Sequence, residues 1–261
     1  MQTKESIQNI VVSLLAYLKS QNIIYTEIRF APQFHTRRGL TQDEVVNFVI
    51  NAAKKVDIKC NFILCLMRGE GNNNENYETV RVAKKYLGRG VCAVDLAGAE
   101  AIFKTKDYKE IFVYVKEEEL PFTIHAGEAV GPESIKSALS FGTKRIGHGV
   151  RILEDDALLE KVIKKNVTLE VCPTSNIQTC ICKDYASHPI SKLYKMGVKT
   201  TINTDNMTVS NTTLENEYIN LLKETELKYE DLVQMNINSV NAAFISEQEK
   251  EVLIGILNKG E

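Results

Sequence analysis

The sequence has 261 residues, with 32 Lys and Arg against 34 Asp and Glu, so the formal net charge is −2. This balance excludes a protein that binds nucleic acid through a basic surface, because such proteins carry clustered positive charge. Hydrophobic residues make up 44% and charged residues 25%, which excludes a mainly disordered chain. The length fits one large domain, and we expect a single domain over 1–261.

Cysteine spacing and apolar runs predict the cellular compartment. Six cysteines are scattered along the chain, without the dense pattern of a secreted disulfide framework. No apolar stretch is long enough to cross a membrane. The apolar run at 10–18 lacks the small-residue cleavage site of a signal peptide. We therefore expect free thiols and a cytoplasmic protein with no membrane contact.

The predicted elements alternate between helices and strands. Residues 5–19 place apolar side chains at helical spacing, and residues 23–30 form a β-branched and aromatic strand that ends before Pro32. Six further strand-like runs begin near residues 59, 91, 122, 145, 167 and 198. Helices are predicted at 41–55 (opened by a Thr41–Glu44 capping box), 75–87, 107–119, 132–140, 155–165, 188–196, 214–224, 229–243 and 246–258.

This alternation predicts an α/β fold in which helices cover a parallel sheet. A (β/α)8 barrel uses about 30 residues per unit, which matches the spacing of the strands. The sequence supplies only seven strands and opens on a helix, so the predicted TIM barrel is incomplete. An open doubly wound sheet is the alternative. It is less favoured because no glycine-rich phosphate-binding loop follows any strand.

Polar side chains collect at the predicted carboxyl ends of the strands. His125 and Glu128 end one strand, His148 lies between two glycines at the end of the next, and Asp205 ends the last. The carboxyl ends of barrel strands meet at one face, where active sites lie. His and Asp are zinc-class ligands, and Glu128 could carry a proton. His148 could hold or deprotonate a metal-bound water.

This convergence favours a metal-assisted hydrolase. Each residue also has a simpler interpretation, because a single His at a strand end is more often a hydrogen-bonded structural residue. An Asp followed by Asn206 in a Thr-Asp-Asn turn is usually a helix cap. By the same logic, His188 before Pro189 is interpreted as a cap and turn, and His35 as a residue of an exposed loop.

Six motifs run in order through nearly the whole chain. They are YTEIRFAP at 25–32, AVDLAG at 93–98, TIHAGE at 123–128, RIGHG at 145–149, LEVCPTSN at 169–176 and TINTDN at 201–206. Together they resemble the adenosine deaminase family. The resemblance implies a barrel of the metal-dependent hydrolase type that converts adenosine to inosine and ammonia. It also implies one zinc ion per chain and a small-molecule purine substrate.

The resemblance carries roles over to particular residues. It implies that His125 and Asp205 are zinc ligands and that Asp205 belongs to the catalytic group. Glu128 resembles the acid that protonates purine N1, and His148 resembles the residue that orients the zinc-bound hydroxide.

Two further positions would bind the purine. The resemblance implies that Gly98 is the backbone donor to purine N3 and that Asn206 stands at the position that contacts N7. Many members of the family have a second Asp at this position. The Asn found here resembles the sequence of a bacterial subgroup of the family.

One family motif is absent from the sequence. The first strand of the family carries His-x-His, which supplies two more zinc ligands, whereas this sequence has no His-x-His and its first strand matches the second strand of the family. We therefore expect the first βα unit to be missing. Two protein ligands are fewer than the three of a catalytic zinc, so we expect the chain as it stands to be inactive rather than active. Exposed barrel edges would favour a homodimer.

Three functions stay open at this stage. The first is zinc-dependent hydrolytic deamination of adenosine. The second is an inactive remnant or subunit of a purine deaminase that binds a purine or a protein partner. The third is a related aminohydrolase that acts on adenine or an adenosine derivative, with AMP disfavoured because no basic cluster is available for a phosphate.

Overall fold

The computed structural model describes residues 1–259, and residues 260 and 261 of the expected domain lie outside the described residues. The described chain divides into two compact units. One comprises residues 1–99 and 110–122, and the other comprises residues 100–109 and the chain from residue 123 onward. The single domain expected over 1–261 stays a prediction.

Three parallel strands in the order β1-β2-β3 form the sheet of the first unit. Its elements are α1 (Lys4–Ser20), β1 (Tyr25–Phe30), α2 (Gln42–Ala53), β2 (Lys59–Met67), α3 (Asn73–Tyr86), β3 (Val91–Ala97) and, apart from its first residue, α4 (Lys109–Glu117). The predicted capping box opens α2. Thr41 Oγ1 accepts the Glu44 N–H at 3.2 Å, and the Glu44 carboxylate accepts the Thr41 N–H at 2.8 Å.

Four parallel strands in the order β4-β5-β6-β7 form the sheet of the second unit. They are β4 (Ile124–Ala126), β5 (Arg145–His148), β6 (Thr168–Val171) and β7 (Lys199–Ile202). The helices of this unit are α5 (Pro132–Phe141), α6 (Asp156–Lys164), α7 (Pro173–Gln178), α8 (Ile190–Lys195), α9 (Met207–Ser210), α10 (Leu214–Glu224), α11 (Tyr229–Ala242) and α12 (Glu247–Lys259).

A row of fully buried aliphatic side chains fixes the register of this sheet. Ile124 pairs with Ile146, and Ile146 pairs with Leu169, so each strand places one large apolar residue beside the next. Burying each side chain contributes about 1.5–3 kcal/mol. A one-residue slip would turn this row to the other face of the sheet. The register therefore also decides which side chains stand at the strand ends.

The strand predictions are confirmed. All seven strands lie within the predicted runs, and every pairing is parallel. The short helices α7 and α9 were not predicted as helices. Within residues 1–259 no helix is both long and apolar enough to cross a membrane.

A buried ion pair ties the start of β5 to β6. Arg145 Nε donates to Glu170 Oε1 at 2.6 Å, and Thr123 Oγ1 donates to Glu170 Oε2 at 3.1 Å. Both charged side chains are more than nine-tenths buried. The pair is therefore costly to break from one side, because the remaining charge would stay in a low-dielectric interior.

We predict that Glu170→Ala lowers the free energy of unfolding by about 3–5 kcal/mol, because the buried Arg145 guanidinium loses its carboxylate. Urea denaturation followed by circular dichroism measures this. The matched control is Glu154→Ala, which breaks the exposed pair with Arg151 and should cost less than about 1 kcal/mol. Equal costs for the two variants would contradict the assignment.

Candidate active site

The second unit brings two histidines together at the carboxyl ends of its first two strands. The parallel register pairs His125 with Gly147 and Ala126 with His148. The two imidazole rings lie 5.2 Å apart between centroids, at 54° to each other. A Cβ on Gly147 would lie 3.2 Å from His125 Cγ, so glycine leaves room for the His125 ring. The lack of a side chain at Gly147 therefore allows the His125 ring to lie close to β5.

Glu128 lies in the turn that follows β4, and the shape of that turn depends on its first glycine. Gly127 has φ of +74°, and a Cβ there would lie 2.4 Å from Ile135 Cδ1. A side chain is excluded both by the left-handed backbone and by the packing of α5. The turn can therefore close tightly, and it places Glu128 beside the histidines.

A buried carboxylate holds this turn. Glu100 is only 5% exposed, and its Oε1 accepts the Gly127 N–H at 2.7 Å. Its Oε2 accepts the N–H groups of Glu128 (3.1 Å), Ala129 (2.8 Å) and Val130 (3.1 Å). Four successive backbone donors around one anion form an anion-binding nest, here filled by the protein's own side chain. Glu100 therefore fixes the backbone that carries Glu128.

The Glu128 carboxyl group faces His148. Glu128 Oε2 lies 3.5 Å from His148 Nε2, and Glu128 Oε1 accepts the Thr179 hydroxyl at 3.3 Å. Burial raises the pKa of Glu128, and the nearby negative charge of Asp205 raises it further, although His125 acts in the opposite direction. A carboxyl group that holds its proton to higher pH than usual is suited to act as an acid.

The short helix α7 holds the polar side chains at the ends of the other strands. Ser175 Oγ donates to Asp205 Oδ2 at 2.8 Å, and Asn176 Nδ2 lies 3.1 Å from His148 Nδ1. Thr179, which caps the carboxyl end of α7, supplies the contact with Glu128. Helix α7 and its C-cap residue thus touch three of the four predicted site residues.

Glu217 anchors the first turn of α7. It is fully buried and accepts the Thr174 N–H at 3.1 Å and the Thr212 hydroxyl at 2.8 Å. Burial raises the pKa of this carboxyl group. A carboxylate at a helix N-terminus satisfies donors that the helix leaves unpaired. Glu217 therefore connects the position of α7 to the start of α10.

Two of the predicted site residues have unusual backbone conformations. His148 has φ of 60° and Asp205 has φ of 54°, both in the left-handed region. Such a conformation costs a non-glycine residue about 1–3 kcal/mol and is concentrated at functional sites. His148 is 2% exposed, whereas Asp205 is exposed.

The structure brings together His125, Glu128, His148 and Asp205, whereas the purine-binding roles of Gly98 and Asn206 stay predictions. Asn206 Oδ1 accepts the Val209 N–H at 3.0 Å and caps α9, which is the capping interpretation of this turn. Gly98 follows β3 in the first unit, with φ of +106°.

The donors at this site fall short of a complete zinc site. His125 and Asp205 supply an imidazole and a carboxylate, the ligand types that zinc accepts. Among residues 1–259, however, no three His, Cys, Asp or Glu side chains stand together as a metal-binding group. A catalytic zinc takes three protein ligands, so the described residues do not fit the ion by themselves.

Sequence reasoning missed Glu100, and it gave Ser175, Asn176 and Thr179 no role. Glu100 lies 28 residues before Glu128, and no periodic pattern marks it. The available signals are that Ser175 and Asn176 follow the predicted strand at 167–173 and that both belong to the motif LEVCPTSN.

Comparison with known proteins establishes the family. The family model described as adenosine deaminase matches residues 1–259. The chain belongs to the adenosine deaminase family. It is 41% identical over 262 residues to the adenosine deaminase of Haemophilus ducreyi, covering 97% of this chain and 76% of that protein. It is also 41% identical over 265 residues to the adenosine deaminase of Clostridium botulinum strain Kyoto, covering 99% of this chain and 78% of that protein.

Solved structures show the same fold. The adenine deaminase from Arthrobacter aurescens matches with a TM-score of 0.90 at 23% identity, over 99% of this chain and 80% of that one. The apo structure of the N6-methyl-AMP deaminase from Arabidopsis thaliana also matches with a TM-score of 0.90, at 24% identity, over 98% of this chain and 79% of that chain. These matches confirm the predicted fold class, an incomplete (β/α)8 barrel of the adenosine deaminase family with seven strands among residues 1–259.

We predict that Glu100→Gln loosens the turn that carries Glu128. The amide presents an N–H₂ group to backbone N–H donors, so at least one charge-assisted hydrogen bond is lost, at a cost of about 1.5–3 kcal/mol. Hydrogen–deuterium exchange should become faster for the amides of 127–130.

The control for this prediction is Glu133→Gln, since that side chain lies on α5 and is 80% exposed. It should leave the exchange of 127–130 unchanged. Unchanged exchange in Glu100→Gln would contradict the role given to the Glu100 carboxylate.

Proposed function

We propose that the site catalyses hydrolytic removal of the 6-amino group of a purine nucleoside, with adenosine as the first substrate to test. The observation that carries this is the contact between a half-buried acid of raised pKa, Glu128, and a buried imidazole, His148, at 3.5 Å. Family membership supports the choice of a purine, because the curated relatives are adenosine deaminases.

In this reaction a water oxygen bonds to purine C6, and the C6–N6 bond breaks. The amino group leaves as ammonia, and inosine remains. The ring must accept a proton at N1 for water to add, because this makes C6 electrophilic. Glu128 is the proposed donor, since its raised pKa keeps the carboxyl group protonated at higher pH than an ordinary glutamic acid.

His148 and Asp205 are the proposed partners of the attacking water. Ser175 orients the Asp205 carboxylate through its hydroxyl, so the carboxylate keeps acceptor capacity for a water proton. His148 offers its Nε2 edge toward Glu128. The Asp205 carboxylate as proton acceptor and Glu128 as proton donor allow water to lose a proton on one side while the purine ring gains one on the other.

A bound zinc ion would supply an activated water to such a site. The described residues offer only His125 and Asp205 as zinc ligands, so a zinc-dependent reaction requires a further ligand that is not among the described residues. The steps above are therefore limited to proton transfer by side chains. We propose that zinc binds this chain weakly, and that His125→Ala and Asp205→Ala each weaken it further.

The incomplete donor set also favours a second candidate, a subunit that binds a purine without turning it over. Both candidates predict binding of inosine, but only the first predicts ammonia release. The predicted cytoplasmic location and homodimer are independent of this choice and stay proposals.

Under the first candidate, we predict that the purified chain with added zinc converts adenosine to inosine, and that Glu128→Gln lowers kcat by about 10²- to 10⁴-fold through loss of the proton donor. Loss of adenosine absorbance measures turnover, with adenine and AMP as parallel substrates. Glu133→Gln is the control and should retain full activity. A folded, zinc-loaded chain that binds inosine but releases no ammonia would support the non-catalytic candidate instead.

We predict that kcat/KM falls on the alkaline side as Glu128 loses its proton. The pKa of Glu128 is raised, so the protonated acid persists above the ordinary range of a glutamic acid and is lost as pH rises through the raised value. The residual activity of Glu128→Gln should lack this limb. An alkaline limb retained in Glu128→Gln would assign the titration to another group.

A further inference from the structure

A continuous series of hydrogen bonds runs from the backbone of α8 through His188 and Asn176 to His148, whose ring faces Glu128. The Ile190 N–H donates to His188 Nδ1 at 3.1 Å, and His188 Nε2 lies 3.4 Å from Asn176 Oδ1. Asn176 Nδ2 lies 3.1 Å from His148 Nδ1, and His148 Nε2 faces Glu128. We call Ile190, His188, Asn176 and His148 the α8 relay.

The direction of the first two bonds is fixed by chemistry. A backbone N–H can only donate, so His188 Nδ1 must accept from Ile190. Burial lowers the pKa of His188 to about 4, so its ring is neutral near pH 7 and carries one proton, on Nε2. That N–H can only donate to the side-chain oxygen of Asn176. The orientation of the Asn176 amide follows from this bond.

The orientation of the amide then decides the state of His148. With its oxygen toward His188, Asn176 turns its N–H₂ group toward His148 Nδ1. That ring nitrogen must accept, because two facing N–H groups would repel each other. Asn176 is fully buried and His148 nearly so, so water cannot easily replace these partners.

We propose that Asn176 and His188 are positioning residues that hold the neutral His148 ring in the tautomer with its proton on Nε2. The tautomer itself is independent of the activity, and only its catalytic consequence rests on the proposed function. In that tautomer the ring presents an N–H toward Glu128 and the reaction centre. The opposite tautomer would present a lone pair there, so a donor would become an acceptor at the place where protons move.

The unmodified chain tests this directly. The chain has only four histidines, so ¹⁵N labelling of histidine gives a spectrum with few ring signals. At about pH 8, above the ordinary imidazole pKa of about 6.5, protonated and unprotonated ring nitrogens of neutral rings resonate far apart. We expect His148 to show a protonated Nε2 and an unprotonated Nδ1. A protonated Nδ1 on His148 would overturn the proposal.

Asn176→Asp reverses the predicted tautomer with almost no change of shape. A carboxylate accepts from both rings, so the proton of His148 should move to Nδ1. With the proposed activity present, kcat should fall about 10- to 100-fold, the range typical of groups that orient a functional histidine, while KM stays nearly unchanged. The matched control is Asn216→Asp, which adds the same charge at an exposed position on α10. Asn176→Asp with the wild-type tautomer would overturn the proposal.

A pair of variants at His188 gives an independent reading. His188→Gln keeps an N–H donor for Asn176 and should retain the His148 tautomer. His188→Leu removes the donor that orients the amide, so both tautomers of His148 should appear. Identical His148 spectra in the two variants would contradict the relay even if Asn176→Asp fails to fold.

These measurements separate the relay from the activity. The Nε2–H tautomer in a chain that releases no ammonia would leave the relay standing and remove the proposed function. Ammonia release by a chain whose His148 carries its proton on Nδ1 would support the proposed function and overturn the relay.

Discussion

The site depends on the register of four short parallel strands in the second unit. Each strand is only three or four residues long, so one residue of slip would move every side chain at its carboxyl end. The buried row of Ile124, Ile146 and Leu169 prevents this, because a slip would turn these large apolar side chains away from the face on which they pack. The ion pair between Arg145 and Glu170 joins the same strands. Packing below the strand ends thus fixes the geometry of the polar groups at them.

Beyond the strand ends, two buried acids position the segments that carry the polar side chains. Glu100 binds the turn that carries Glu128, and Glu217 holds the first turn of α7. Glu100 accepts four backbone N–H groups, and Glu217 accepts the Thr174 N–H and the Thr212 hydroxyl, so the oxygens of both acids are hydrogen-bonded within the protein. They anchor Glu128 and Asn176, whose side chains face His148 from opposite sides. The left-handed backbone of His148 is tolerated because these surrounding contacts determine its place.

The sequence predicted most of the architecture because its signals are local. Short apolar runs, such as 59–67 and 91–97, predict buried strands, and their alternation with helices predicts parallel pairing. Helix α7 escaped prediction because six residues beginning with proline hold too few turns for a periodic pattern. The gathering of His125, Glu128, His148 and Asp205 was predictable, since strand ends of a parallel sheet meet at one edge.

The supporting residues could not be predicted from the same signals. Glu100 acts on a turn that is distant in sequence, and an acid in a loop is normally solvated. His188 was interpreted as a cap and turn, and its bond with the Ile190 N–H agrees with that. Its second bond, to Asn176, depends on tertiary packing that no spacing in the sequence reveals.

We infer that His125, Glu128, His148 and Asp205 surround one reaction centre. A crystal structure of the chain soaked with inosine and zinc would locate that centre. We expect the purine ring beside His148, with N1 within hydrogen-bonding distance of Glu128. A purine bound elsewhere on the chain, with Glu128 and His148 more than about 6 Å from it and so beyond direct contact, would contradict the account.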